Sequence, residues 1–221
     1  MNGIESFEPA FRRLTELILD WNQRINVTAI TDPVEFYNKN VLDSLELMGH
    51  GELEGAKRVM DLGTGGGFPG LPLAIACPDK EFVLVDSVAK KLKVVRSVAD
   101  ELGLKNVTVV HARAEELAAD PEFRDSFDLV VSRAVANMST LSEYCLPFVK
   151  AGGSFVAYKT VSAAGEIEAA ANAVKKLGGA PAEIRPYSGG ESGHCFAVVR
   201  KVSATPKAYP RKGGQPRKSP L

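Results

Sequence analysis

Cysteine is scarce, with 3 in 221 residues. Cys77, Cys145 and Cys195 are far apart and form no Cys-x-x-Cys pair, which argues against a disulfide framework or a thiolate zinc site and for a reducing compartment. No apolar run is long enough to cross a bilayer. The first turns carry Glu5, Glu8, Arg12, Arg13, Glu16 and Asp20, which breaks any apolar stretch of a secretory signal. The resulting expectation is a cytoplasmic protein. Histidine is equally sparse. His50, His111 and His194 stand alone in the sequence and are read as structural, and Cys145 as core. There is no internal repeat. No metal site is expected.

Net charge is also lacking, at +0, but the sum hides an asymmetry. The segment 200–221 holds 7 basic and no acidic residues, so the preceding chain has an acidic balance of −7. A basic end on an acidic body points to a polyanionic partner, with a solvated end as the plain alternative. What is present in quantity is apolar: 45% of the chain is hydrophobic, enough for one sizeable core with a small appendage.

The pattern divides the chain into three. Residues 1–51 form a helical extension: Phe7, Phe11, Leu14, Ile18 and Trp21 recur at helical spacing. Asp32-Pro33 then reads as an N-cap and first-turn proline of a second helix carrying Phe36, Val41, Leu42 and Leu45. Residues 52–202 alternate β-rich and helical runs. Strands are expected at 59–61, 82–86, 107–110, 128–131 and 154–158, with helices near 70–77, 88–102, 139–149 and 163–177. Such alternation predicts a parallel sheet covered on both faces. The runs 184–187 and 195–199, joined by a Gly-rich turn, predict an antiparallel hairpin at the sheet edge. Residues 203–221 are rich in Pro, Gly, Lys and Arg, and are expected to be a tail that orders only against something else: a polyanionic partner or, as the competing view, the protein body with Tyr209 as an anchor.

The most informative segment runs from Val59 to Gly70, VMDLGTGGGFPG. It joins a strand to a helix, and its glycines permit positive φ and close backbone approach to a ligand. Phosphate and dinucleotide sites use similar loops. Two acids sharpen the reading. Asp61 precedes Gly63, where a carboxylate can meet the cation of an amino-acid moiety. Asp86 ends the second strand, where it can accept hydrogen bonds from both hydroxyls of a ribose, including that of a dinucleotide. The alternative is that both acids cap helices. After the third strand, Ala114 and Glu115 are candidates to flank an adenine, or simply begin a helix. Arg133, at the carboxyl edge of the fourth strand, faces the crevice where such sheets bind ligands, unless it serves a surface ion pair.

Taken in order, these segments resemble the RsmG (GidB) family of 16S ribosomal RNA guanine-N7 methyltransferases over nearly the whole chain. Asn26-Val27-Thr28-Ala29-Ile30 with Asp32-Pro33, Val41-Leu42-Asp43-Ser44-Leu45, the run DLGTGGGFPGLPL from Asp61, Asp86-Ser87, Arg113-Ala114-Glu115, Ser132-Arg133-Ala134, Tyr209-Pro210-Arg211-Lys212 and Lys218-Ser219-Pro220-Leu221 carry the likeness. Asn40 is a departure, standing where that family often has histidine. The resemblance implies an α/β, Rossmann-like class I fold with a mostly parallel seven-stranded sheet, a C-terminal antiparallel hairpin and an N-terminal helical extension. It implies S-adenosyl-L-methionine as cofactor, held by Gly63, Phe68, Ala114, Glu115 and Arg133, with Asp61 and Asp86 as supports and Gly65 and Ser87 beside them. The implied substrate is a guanine in the decoding-region hairpin of 16S rRNA, in the 30S subunit or an assembly intermediate, met by a monomer. Lys207, Arg211, Lys212, Arg217 and Lys218 are expected to lie along the RNA.

The chemistry asks for little. Guanine N7 carries a lone pair and no proton, so no general base is needed and positioning dominates. Consistent with this, there is no Asn-Pro-Pro-Tyr run after strand four and no Pro-Cys nucleophile, and Arg133 is the candidate for placement. A small-molecule methyltransferase would explain the loop but not the basic end. A non-enzymatic ribosome-binding factor would explain the end but not so complete a loop.

Overall fold

A computed structural model describes residues 4–133, 136–187 and 193–221. Ala134 and the turn at 188–192 lie outside the described residues. Seven strands form one sheet: β1 Arg58–Leu62, β2 Glu81–Asp86, β3 Val107–His111, β4 Phe127–Arg133, β5 Val149–Thr160, β6 Glu183–Pro186 and β7 His194–Arg200. Their spatial order is β3-β2-β1-β4-β5-β7-β6. The first five run parallel. β7 pairs antiparallel with both β5 and β6. The expected hairpin therefore forms, but its second strand is inserted between β5 and the edge strand.

Alternation along the strands divides the core in two, because successive side chains point to opposite faces. Phe82 and Leu84 belong to one buried cluster, and Val83 and Val85 to the other. The helices Gly70–Ala76 and Ala89–Glu101 cover the first face, and Met138–Cys145, Ala164–Ala169 and Ala171–Lys176 the second. The helix expected over 163–177 is thus two short helices meeting at Ala170.

The N-terminal extension joins the first face. Helix Glu8–Asn22 buries Phe11, Leu14, Leu17 and Ile18 in the same cluster as Leu84 and Val131. Asp32 caps the next helix as its sequence suggests, its Oδ1 accepting from Glu35 N at 2.8 Å. That helix, Pro33–Phe36, widens into a π-helical turn over Tyr37–Leu42 before Asp43–Leu45. Such widened turns recur at functional sites, and this one carries Asn40 and Asp43 towards the end of β4.

The C-terminal segment corrects the sequence reading most. It does not wait for a partner, because it docks on the second face. The Arg211 guanidinium forks onto Glu143, a fully buried carboxylate, with Nε–Oε1 at 3.0 Å and Nη2–Oε2 at 2.7 Å. Arg124 donates to the carbonyls of Thr205 (2.8 Å) and Tyr209 (3.1 Å). Thr140 Oγ1 donates to Pro216 O at 2.8 Å, and Tyr209 and Leu221 pack on the apolar cluster. Composition suggested a segment without a core of its own, which it is. Prolines and polar anchors hold it against someone else's.

Candidate functional site

At the carboxyl edge of the sheet, the β1–helix loop turns sharply on Gly63, Gly65 and Gly67, whose φ angles are 77°, 57° and 98°. These are left-handed values that glycine adopts without strain. At Gly70 the constraint is space instead. A Cβ there would fall 2.2 Å from Leu84 Cδ2 and 2.8 Å from Asp61 Oδ2.

Asp61 braces this loop from beneath. Its Oδ2 accepts from Thr64 Oγ1 at 2.6 Å and from Gly70 N at 2.8 Å, while Oδ1 is buried without a partner among the described residues. Burial pushes its carboxyl up to about 6, against the pull of those two donors. Asp61 is wholly buried and does not line the cavity; the contacts observed are with its own loop and with the first residue of helix Gly70–Ala76, as the helix-capping alternative expects. Asp86 does reach the cavity. Its Oδ2 accepts from Gly65 N at 2.9 Å and its Oδ1 from Val88 N at 2.8 Å. Each oxygen keeps a lone pair for a further donor.

The cavity has a volume of about 630 Å³. Gly63, Gly65, Phe68, Asp86, Ser87, Ala114, Glu115 and Arg133 all line it, so eight of the nine residues singled out for the cofactor come together. Ala114 also begins a short helix, Ala114–Leu117, as the plainer reading of that position expects.

Arg133 is the most heavily engaged wall residue. Its Nη1 donates to Lys39 O at 3.1 Å and to Asp43 Oδ2 at 3.2 Å, and its Nη2 donates to Asn40 Oδ1 at 2.6 Å. Its guanidinium carbon lies 5.7 Å from the Phe68 ring centroid. Asp43 is the hub that sequence reasoning missed. It is buried, and its Oδ1 takes Tyr187 Oη at 2.9 Å and His194 Nδ1 at 3.0 Å. The helical extension, β4 and the β6–β7 hairpin are joined at this one carboxylate. His194, isolated in sequence, has a structural partner in space. Only the Val41–Leu45 motif pointed to Asp43, and of its partners only Arg133 was marked, by the ion-pair alternative that the structure realises at a buried carboxylate.

Arg217 and Lys218 line the cavity, as does Gly214, while Lys207 and Lys212 are exposed. Arg211 is committed to Glu143, which removes it from the residues free to meet a phosphate.

A parallel sheet with an antiparallel seventh strand, a glycine loop after β1 and an acid at the end of β2 define a Rossmann-like, S-adenosylmethionine-dependent methyltransferase. Solved structures agree on the fold. The O-methyltransferase from Bacillus cereus in complex with SAH superposes with a TM-score of 0.60 at 17% identity, covering 84% of this chain and 89% of that one. A putative O-methyltransferase from Klebsiella pneumoniae gives 0.59 at 17%, covering 86% and 90%.

Sequence comparison is narrower. The family described as GidB, rRNA small subunit methyltransferase G, matches residues 8–193, and the chain belongs to it. Ribosomal RNA small subunit methyltransferase G of Clostridium novyi (strain NT) is 43% identical over 213 residues, 96% of this chain and 88% of that protein. The protein of the same name from Moorella thermoacetica is 44% identical over 209 residues, 94% and 87%.

Proposed function

We propose that this chain transfers a methyl group from S-adenosylmethionine to N7 of a guanine in the decoding-region hairpin of 16S rRNA. It acts as a cytoplasmic monomer on the 30S subunit or an assembly intermediate. The observation that carries the reading is the convergence of Gly63, Gly65, Phe68, Asp86, Ala114, Glu115 and Arg133 on one cavity in a chain of this family. The donor set suits an adenosine joined to an amino acid. Asp86 has acceptor capacity for a ribose, Ala114 and Glu115 offer a flank for an adenine, and the glycine loop lets backbone approach.

When bound, the cofactor supplies an electrophilic sulfonium methyl. The protein's part is geometric. The loop braced by Asp61 fixes the floor of the cavity, and Arg133, held by Asn40 and Asp43, fixes the wall beside Phe68. No residue needs to remove a proton, because guanine N7 bears none. Orientation of the two reactants therefore supplies most of the rate, as expected where reacting atoms must be held in line. Lys207, Lys212, Arg217 and Lys218 remain as cations for the RNA.

The experiment is methyl transfer from labelled S-adenosylmethionine to unmodified 30S subunits and to protein-free 16S rRNA, with the modified base mapped by mass spectrometry. N7-methylguanine in the decoding-region hairpin supports the proposal. Cofactor binding without transfer to either substrate would instead favour a small-molecule methyltransferase or a ribosome-binding factor.

A further inference from the structure

Four cations that form no ion pair among the described residues stand around the same cavity, outnumbering the two acids, Asp86 and Glu115, that also line it. Lys91 lies in the first turn of helix Ala89–Glu101, Arg113 directly precedes Ala114, and Arg217 and Lys218 end the short helix Gln215–Lys218. All four line the cavity, and Arg113, Arg217 and Lys218 are exposed. Among the described residues none of the four takes part in an ion pair or a side-chain hydrogen bond. Elsewhere the chain pairs its arginines: Arg58 with Glu81, Arg133 with Asp43, Arg185 with Glu52 and Arg211 with Glu143. Two of the arginines outside any ion pair, Arg113 and Arg217, line this cavity together with Lys91 and Lys218. Arg113, Arg217 and Glu115 all lie within electrostatic reach of the Tyr144 hydroxyl.

The cofactor cannot be what these cations await. S-adenosylmethionine carries a sulfonium, an ammonium and one carboxylate, a net positive charge, and its adenosine half is neutral. Asp86, Ala114 and Glu115, proposed for that half, share this end of the cavity with the four cations. A cluster of unpaired positive charge is unfavourable beside a cationic ligand and favourable beside a polyanion.

Resting on the function proposed above, we propose that Lys91, Arg113, Arg217 and Lys218 form a phosphate track across the adenosine half of the cavity mouth. The sugar-phosphate backbone of the substrate RNA crosses there while the target base enters beside Phe68 and Arg133. Two of the four belong to the docked C-terminal segment, so the tail serves RNA binding from a fixed position on the body.

The test uses the full chain saturated with S-adenosylhomocysteine and a protein-free 16S rRNA transcript, with affinity measured across a salt series. Each phosphate contact contributes a slope of about −0.7 in log affinity against log salt for single strands. The double variants Lys91→Ala/Arg113→Ala and Arg217→Ala/Lys218→Ala should each flatten the slope by about 1.4 and weaken binding. Cofactor affinity and melting temperature should stay as in the unmodified chain. Lys105→Ala, in the loop before β3 at the opposite edge of the sheet, should change nothing. Unaltered slopes in both double variants would overturn the track, as would weakened cofactor binding at constant slope, which would give these side chains to the cofactor. Methyl transfer is read separately. A chain that methylates 16S rRNA while both double variants keep their slopes refutes the track and leaves the function standing. A chain that binds RNA through these residues but transfers no methyl group refutes the function instead.

Discussion

Asp61 and Asp86 are both acids at the ends of neighbouring parallel strands, yet burial gives them different work. Asp61 is sealed beneath the loop with its carboxyl pushed up to about 6, so it is ionised at neutral pH against a desolvation cost. Its folded value lies above the ordinary 3.8. Its contribution to stability is therefore full below about 3.8 and is lost as pH rises through about 6. The stability of the unmodified chain relative to Asp61→Asn should increase as pH falls from 7 to 4, by about 2 kcal/mol. Urea unfolding across that range checks this, and a flat difference would show that Asp61 does not titrate within it. Asp86 faces the cavity while holding Gly65 N and Val88 N. Asp86→Ala should weaken cofactor binding about tenfold or more by calorimetry, with the fold retained. Gly65→Val probes the backbone alone. A Cβ there meets nothing nearer than Gly63 O at 4.0 Å, but φ is 57°. A β-branched side chain pays roughly 1–2 kcal/mol in that left-handed conformation, so the loop should shift and cofactor binding should be lost.

The elements differ in how openly the sequence declares them. The five parallel strands were legible because each is a short β-rich run followed by a helix. The caps at Asp32-Pro33 and the glycine loop were legible because their chemistry is local. The C-terminal segment was not, because its attachment depends on partners far away in sequence. Arg211 finds Glu143, Thr140 finds Pro216, and Arg124 gathers the carbonyls of Thr205 and Tyr209. Tyr209, an aromatic in a polar segment, was the one anchor that composition suggested. Two outcomes follow. Arg211→Ala leaves the Glu143 carboxylate buried without its cation and should cost about 3 kcal/mol, read as a lowered urea midpoint. Removing the chain after Val202 should lower the melting temperature, since Glu143 and Thr140 lose their partners, and also weaken cofactor binding, since the backbone at Gly214 closes part of the cavity wall. A truncated protein with an unchanged melting temperature and cofactor affinity would mean that the segment is an appendage after all.

Across the whole molecule, the candidate site was legible wherever one strand and its following loop supply the residue, as with Gly63, Asp86, Ala114 and Arg133. It was illegible where three distant segments meet. Asp43, Tyr187 and His194 are joined through one carboxylate, and no spacing in the sequence reports that contact. Asp61 was assigned to the ligand because its position in the motif is right, but a residue's depth is set by what packs over it, and here helix Gly70–Ala76 and its own loop close it off. The acidic body with a cationic cavity mouth fits a large anionic substrate better than a small neutral one. The most direct measurement is mass-spectrometric mapping of 16S rRNA from unmodified 30S subunits after incubation with the protein and S-adenosylmethionine. The expected result is one new N7-methylguanine in the decoding-region hairpin, lost with Asp86→Ala. A methyl group on another base or another atom, or none on RNA in a protein that binds the cofactor, would contradict it.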